Sequence, residues 1–185
     1  MAKSKLEEAL EKYMSGTAVT LRAGILEKAV YPDGTQVAQV GYIQEFGASI
    51  NQPERTGTIY RKVGKDGVLS RGGKFVKAKN SNFATQHAIA AHTVNIPPRP
   101  YFRTVIAEGK STWPVILAKS IKEYGDVKTA LDSLGGVIKN ELEASVLTWA
   151  SPPNAPSTAA KKGFNKPLIE SHQLSESFDY EVNDD

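Results

Sequence analysis

"VKTALDSLGGVIKNELEASV", Val127–Val146, decides how this 185-residue chain must fold. Val127, Ala130, Leu131, Leu134, Ile138, Leu142 and Val146 recur every three or four residues, the spacing of one helical face. Gly135-Gly136 weakens that helix locally without ending it. So long an apolar stripe needs a second layer to bury it. On its C-terminal side "ASPPNAPS", Ala150–Ser157, stops the helix, and Gly163, Asn165 and Pro167 forbid a continuous helix beyond. "SFDYEV" then alternates Phe178, Tyr180 and Val182 on one face, which predicts a strand. Leu168, Ile169 and Leu174 must pack between that strand and the long helix. Asp179 and Glu181 fall on the outer face, where a neighbour's Lys or Arg can meet them.

Upstream of Val127 the pattern predicts two shorter helices. Tyr101–Glu108 makes a turn or two. Pro114 suits the first turn of a new helix capped by Ser111 or Thr112 and running to about Tyr124. At the other end of the chain, Ser4 and Glu7 form a capping box before Leu6, Ala9, Leu10 and Tyr13, a helix over 4–14 closed by Ser15-Gly16. Val19, Leu21, Ala23 and Ile25 alternate as a strand. "YPDGT" is a turn, with Pro32, Asp33 and Gly34 in their favoured places. Thr35 can then cap a helix over "QVAQVGYIQEF" that stops at Gly47, although Val40 and Tyr42 also fit a strand.

The middle is different in character. "TIYRKV" and "KFVKAK" are short β-prone runs joined by "GKDGVLSRGG", which reads as a long, basic, flexible β-hairpin within an excursion at 50–82. "TQHAIAAHTVNI" reads as a strand returning to the core. The architecture predicted is one α+β domain over 1–185. An antiparallel sheet of strands near 18–29, 86–95 and 177–183 is covered by the C-terminal helices, with an N-terminal helix and the basic hairpin protruding.

Composition removes several classes of function. Forty per cent apolar and 23% charged residues are globular proportions. The absence of cysteine excludes disulfides, thiolate metal sites and cysteine nucleophiles. No apolar run approaches the roughly 20 residues that span a bilayer, so no membrane association is expected. "MAKSKLEEALEKY" lacks the apolar core of a signal peptide. "EGKST", Glu108–Thr112, resembles the end of a phosphate-binding loop, but Thr104 stands where that motif needs glycine. His87 and His92 point to opposite faces of a strand and are expected to be half-buried there rather than to share a metal. No catalytic residue, cofactor site or metal site is therefore assigned.

Charge is uneven. Arg55, Arg61, Lys62, Lys65, Arg71, Lys74, Lys77 and Lys79 face only Asp66 between 55 and 79, whereas 169–185 carries acids alone. Either both segments are simply solvated, or they steer identical subunits head to tail. With Tyr60 and Phe75 among the cations, the same segment also suits transient contact with DNA.

"NIPPRPYFR", Asn95–Arg103, is a stiff strap. Pro97, Pro98 and Pro100 carry no N–H and lose little entropy on ordering. They would hold Arg99, Tyr101, Phe102 and Arg103 in fixed presentation, side-chain types that dominate protein interfaces. One aromatic is expected to anchor the next helix, and Glu45 to pair with Arg99 or Arg103.

Taken in order, Glu45-Phe46-Gly47, "IPPRPYFR" and the segment Pro153–Phe178, with Lys162, Gly163, Pro167 and Leu168, resemble the tail-completion and virion-morphogenesis proteins of tailed bacteriophages, the HK97 gp10-like tail components. Gln44 stands where that family often has Asn. Ser171-His172 replaces a usual Thr-Gly, and histidine there argues against a positive φ. The resemblance implies a non-enzymatic structural protein of the virion neck or upper tail, assembled in the host cytoplasm. It implies a sixfold ring of identical subunits that contacts the head connector or stopper, the tail terminator and the tail tube. A nucleic-acid-binding module using 55–79 is the rival reading.

Overall fold

A computed structural model of the chain describes residues 3–15, 19–26 and 29–184. Gly16 of the expected helix stop lies outside them. The described chain clusters into two compact units, a body formed by the segments up to Ala48 and from Ile96 onward, and Ser49–Asn95.

The body begins with α1, Lys5–Ser15. Its capping box is formed as expected: the Ser4 amide donates to Glu7 Oε2 at 2.8 Å and the Glu7 amide to Ser4 Oγ at 3.2 Å. β1, Val19–Ile25, pairs antiparallel with β6, Phe178–Asp184, setting Leu21 opposite Val182 and Ala23 opposite Tyr180. The "YPDGT" turn closes with the Thr35 amide on Asp33 Oδ1 at 3.0 Å and Gly34 at φ 85°. α2, Val37–Phe46, follows. Thr35 does not cap it: Gln36 occupies that position without a side-chain hydrogen bond.

α3 spans Tyr101–Tyr124 as a single helix. The expected break at Ser111–Pro114 does not occur, and "EGKST" lies in mid-helix rather than in a loop. Pro114 removes one backbone donor, which would have served the carbonyl of Lys110. Both residues are exposed, so water can donate to the Lys110 carbonyl in place of the missing N–H. Buried Tyr101, Val105 and Ile121, with partly buried Trp113 and Leu117, hold both halves against the core. Gly109 makes room for this, since a Cβ there would stand 2.1 Å from the Trp113 ring.

α4, Val127–Thr148, is the long amphipathic helix, capped by Asp126 through the Thr129 amide at 2.8 Å. Leu134, Ile138, Leu142 and Val146 bury its stripe against Val37, Tyr101, Val105, Leu174 and Phe178. Each such large side chain contributes about 1.5–3 kcal/mol by leaving water. Gly135 is where β6 comes nearest: a Cβ would meet Tyr180 at 2.2 Å. α5, Pro156–Lys162, and α6, Gln173–Glu176, complete the body. His172 adopts φ 63° after all, and its carbonyl then accepts the Ser175 hydroxyl at 2.7 Å and the Glu176 amide at 3.0 Å.

Ser49–Asn95 is built around two antiparallel strand pairs. β2, Ala48–Gln52, pairs with β5, His92–Ile96. β3, Arg55–Arg61, pairs with β4, Phe83–Ile89. Side chains bond across β2 and β5, Ser49 to Asn95 and Thr93 to Asn51, both at 2.9 Å. This places β2 and β5 in the register of β3 and β4, so the pairs form one ribbon interrupted at Pro53, which has no donor to give.

Two expectations are corrected here. The segment 86–95 is not a third strand of the β1–β6 sheet, because nearly all its side chains are exposed and no continuous apolar face exists to bury. Nor is "KFVKAK" the partner of "TIYRKV". β3 takes β4 instead, and Val76 reaches Tyr60 through one backbone bond of 3.0 Å. His87 and His92 are exposed, on different strands. Among the described residues, none of the buried core lies in Ser49–Asn95.

Candidate functional site

The three segments read as signature motifs meet in the body. Pro100 precedes α3 at the N-cap position and has no side-chain acceptor for the first amides of the helix, which have no partner within the helix itself. Glu45, at the end of α2, supplies the missing cap. Its carboxylate accepts from the Phe102 amide at 2.9 Å and the Arg103 amide at 3.2 Å. Arg103 Nε also donates to Glu45 Oε1 at 2.7 Å, and its Nη2 to the Glu45 carbonyl at 3.2 Å. A negative group at a helix N-terminus is further favoured by the helix dipole. Of the two pairings expected for Glu45, the Arg103 pairing is the one formed.

Gly47 explains why this turn ends in glycine. It takes φ 76°, and a Cβ would stand 2.7 Å from the Ile96 carbonyl and 3.0 Å from the Pro98 nitrogen. The strap thus lies against bare backbone.

Arg99 is 4% exposed and makes no ion pair among the described residues. Its guanidinium donates to Gln44 Oε1 at 2.6 Å, the Pro152 carbonyl at 3.0 Å and the Pro153 carbonyl at 3.1 Å. Its own amide bonds the Gln44 carbonyl at 2.7 Å. Burial pulls its pKa below the ordinary arginine value. This fork ties the α2 turn and the strap to the start of the Pro153–Phe178 segment. Gln44 therefore has a role in this chain, as the neutral acceptor for Arg99.

The third motif folds back on itself beside Arg99. Asn154 donates to Asn165 Oδ1 at 3.1 Å and to the Lys166 carbonyl at 3.0 Å. Lys162 bonds the same carbonyl at 2.8 Å and covers the Phe164 ring at 4.9 Å. Burial, with the Arg99 charge adding to it, holds Lys162 below its ordinary pKa. Gly163 ends α5 at φ 82°, Pro167 is fully buried, and Leu168 packs on the core at φ 61°.

The strap does not present all four of its expected contact residues. Tyr101 is 2% exposed and is the aromatic that anchors α3, while Phe102 is partly buried on the core. Burial, reinforced by the Glu45 carboxylate, raises the Tyr101 hydroxyl pKa. Arg99 and Tyr101 are thus internal, because the prolines turn them toward α2 and α4. Arg103 remains half exposed, stacked on Phe46 with its guanidinium 4.7 Å from the ring centroid. Phe46 in turn packs on Tyr42 at 4.6 Å, and these two rings are 49% and 65% exposed. Tyr42–Phe46–Arg103 is a surface patch of the composition that interfaces favour. Tyr42 was legible as the i, i+4 neighbour of Phe46 on a helix.

In Ser49–Asn95, Lys62, Lys65, Lys74, Lys77 and Lys79 are exposed and make no ion pair among the described residues. Arg61 lies over Phe75 at 5.4 Å, with its Nε buried and unpartnered. Asp179 and Glu181, by contrast, already face Lys139 at 3.4 Å and Arg22 at 3.6 Å.

Among the described residues, no group of three or more His, Asp or Glu is placed to hold a metal ion. No described helix is long and apolar enough to cross a membrane. No family model, curated protein or solved structure matches the chain.

Proposed function

We propose that this chain is a structural subunit of a tailed-bacteriophage neck or upper tail, a tail-completion or head–tail joining protein that forms a sixfold ring between head connector and tail tube. The observation that carries the reading is the convergence at Glu45 and Arg99. The "EFG" turn, the "IPPRPYFR" strap and the Pro153–Phe178 segment are far apart in sequence, yet four hydrogen bonds to Glu45 and three from Arg99 join them. Residues that a resemblance groups by order alone here have a common physical task. They fix a scaffold that carries the Tyr42–Phe46–Arg103 patch.

The role is one of assembly rather than catalysis, in a virion built in the host cytoplasm. Its partners are further copies of the chain and the adjoining connector, stopper, terminator and tube proteins. Native mass spectrometry and electron microscopy of the purified chain, alone and with tail tubes, test this. Six-subunit rings, or their appearance on tube ends, are expected. A chain that stays monomeric under both conditions would overturn it. The cation-rich ribbon favours DNA contact as a second role. That role predicts duplex binding that weakens steeply with salt and disappears when Lys62, Lys74 and Lys77 are neutralised.

A further inference from the structure

The body carries a groove of about 720 Å³ between α3 and the C-terminal end of α4. Glu108, Thr112, Glu141, Thr148 and Trp149 are among its lining residues, and no described lysine or arginine is. Among the described residues neither carboxylate makes an ion pair; Glu141 accepts the Trp113 indole N–H at 2.8 Å, and Glu108 is exposed. The Trp149 indole nitrogen is buried without an acceptor. The groove thus offers unneutralised negative charge. A peptide segment with cationic side chains would satisfy it.

Such a segment exists in the chain itself. Ser49–Asn95 holds eight Lys and Arg against two Asp and Glu, leaving fifteen against eighteen in the body. A net +3 protein is therefore a basic ribbon joined to an acidic body. Within the ribbon, Lys74-Phe75-Val76-Lys77 puts two exposed lysines around a phenylalanine that is 69% exposed. Three acids of β6 are already matched. Asp179 faces Lys139, Glu181 faces Arg22 and Asp184 faces Lys128.

We propose that the α3–α4 groove of one subunit receives the Lys74–Lys77 segment of a second copy, with Lys74 and Lys77 beside Glu108 and Glu141 and the Phe75 ring between them. This rests on the ring reading and names the contact that would build it. The geometry is head to tail, since groove and segment are different surfaces. Repeated contacts of that kind close into a ring or continue as a filament.

The chain has no cysteine, so introduced cysteines report contacts without background. A Phe75→Cys chain mixed with a Thr112→Cys chain of different mass should give, on mild oxidation, a mixed disulfide severalfold in excess of either homodimer. Val115→Cys, on the same helix at a position 68% exposed and outside the groove, is the control and should show no excess. Lys74→Glu with Lys77→Glu on the first chain should lower the mixed product roughly tenfold, and Glu108→Lys on the second should recover it. Equal yields from Thr112→Cys and Val115→Cys would overturn the proposal, as would loss of the cross-link to competing duplex DNA at physiological salt. The mass of the unsubstituted assembly separates the two readings. Six-subunit rings without the groove cross-link refute the groove alone, and the cross-link without a ring refutes the ring.

Discussion

The body and the ribbon use charge in opposite ways. In the body, charged side chains complete the fold. Glu45 caps α3, Arg99 holds three carbonyl oxygens, and Lys139, Arg22 and Lys128 answer the acids of β6. In Ser49–Asn95 the exposed lysines answer nothing among the described residues, and no core residue stands beneath them. A two-stranded ribbon is at best marginally stable alone in water. The difference teaches that the body, outside its α3–α4 groove, uses charge to hold its own geometry, whereas the ribbon's charges remain available to a partner.

The harshest way to break that comparison is to remove the chain after Ser157. This deletes β6 and with it Phe178, which is 1% exposed, and Leu174. The body should lose its cooperative melt altogether by circular dichroism. Phe178→Ala alone should cost about 3–5 kcal/mol, the range for a large aromatic removed from a core. Arg99→Ala and Glu45→Ala come next, at about 3 kcal/mol each by denaturant titration, because each leaves several buried partners unsatisfied. Arg99→Lys should recover little, since an ammonium cannot copy the three-acceptor fork.

Pro114→Ala should move stability the other way, raising it by about 2 kcal/mol, the helix-interior penalty less the lost rigidity of the unfolded chain. A lower melting temperature would show that Pro114 contributes packing. Asp126→Ala should cost about 1 kcal/mol at neutral pH. The Thr129 amide and hydroxyl hold the Asp126 carboxyl below its ordinary pKa in the folded chain. A depressed folded value stabilises fully above the unfolded pKa and is lost as pH falls through the folded one. The gap between wild type and Asp126→Ala should therefore close on acidification below the ordinary aspartate range.

Smallest of all should be the effect of Lys62→Glu, Lys74→Glu and Lys77→Glu on the melt of the body, within about 0.5 kcal/mol each. Amide exchange over 60–79 should be fast in the isolated subunit and slow on assembly. Slow exchange in a proven monomer would show the ribbon to be self-sufficient.

Much of this was legible in the residues. The capping box at Ser4 and Glu7, the alternation in β1 and β6, the α4 stripe and the α+β class follow from short-range periodicity, which one chain segment carries by itself. The stop at Gly47 was equally plain; a Glu45–arginine pair was legible only as a choice between Arg99 and Arg103, of which Arg103 formed. Tertiary packing decided what local rules could not rank. It carried α3 through Pro114, because the core on both sides of the proline outweighs one lost hydrogen bond. It chose β4 over "KFVKAK" as the partner of β3, since strand pairing is a long-range competition that turn residues alone do not settle. It drew His172 into a left-handed conformation and turned Arg99 inward to three carbonyl oxygens, which have no signature in sequence. Periodicity reports which side of an element avoids water; only the assembled fold specifies which element waits on that side.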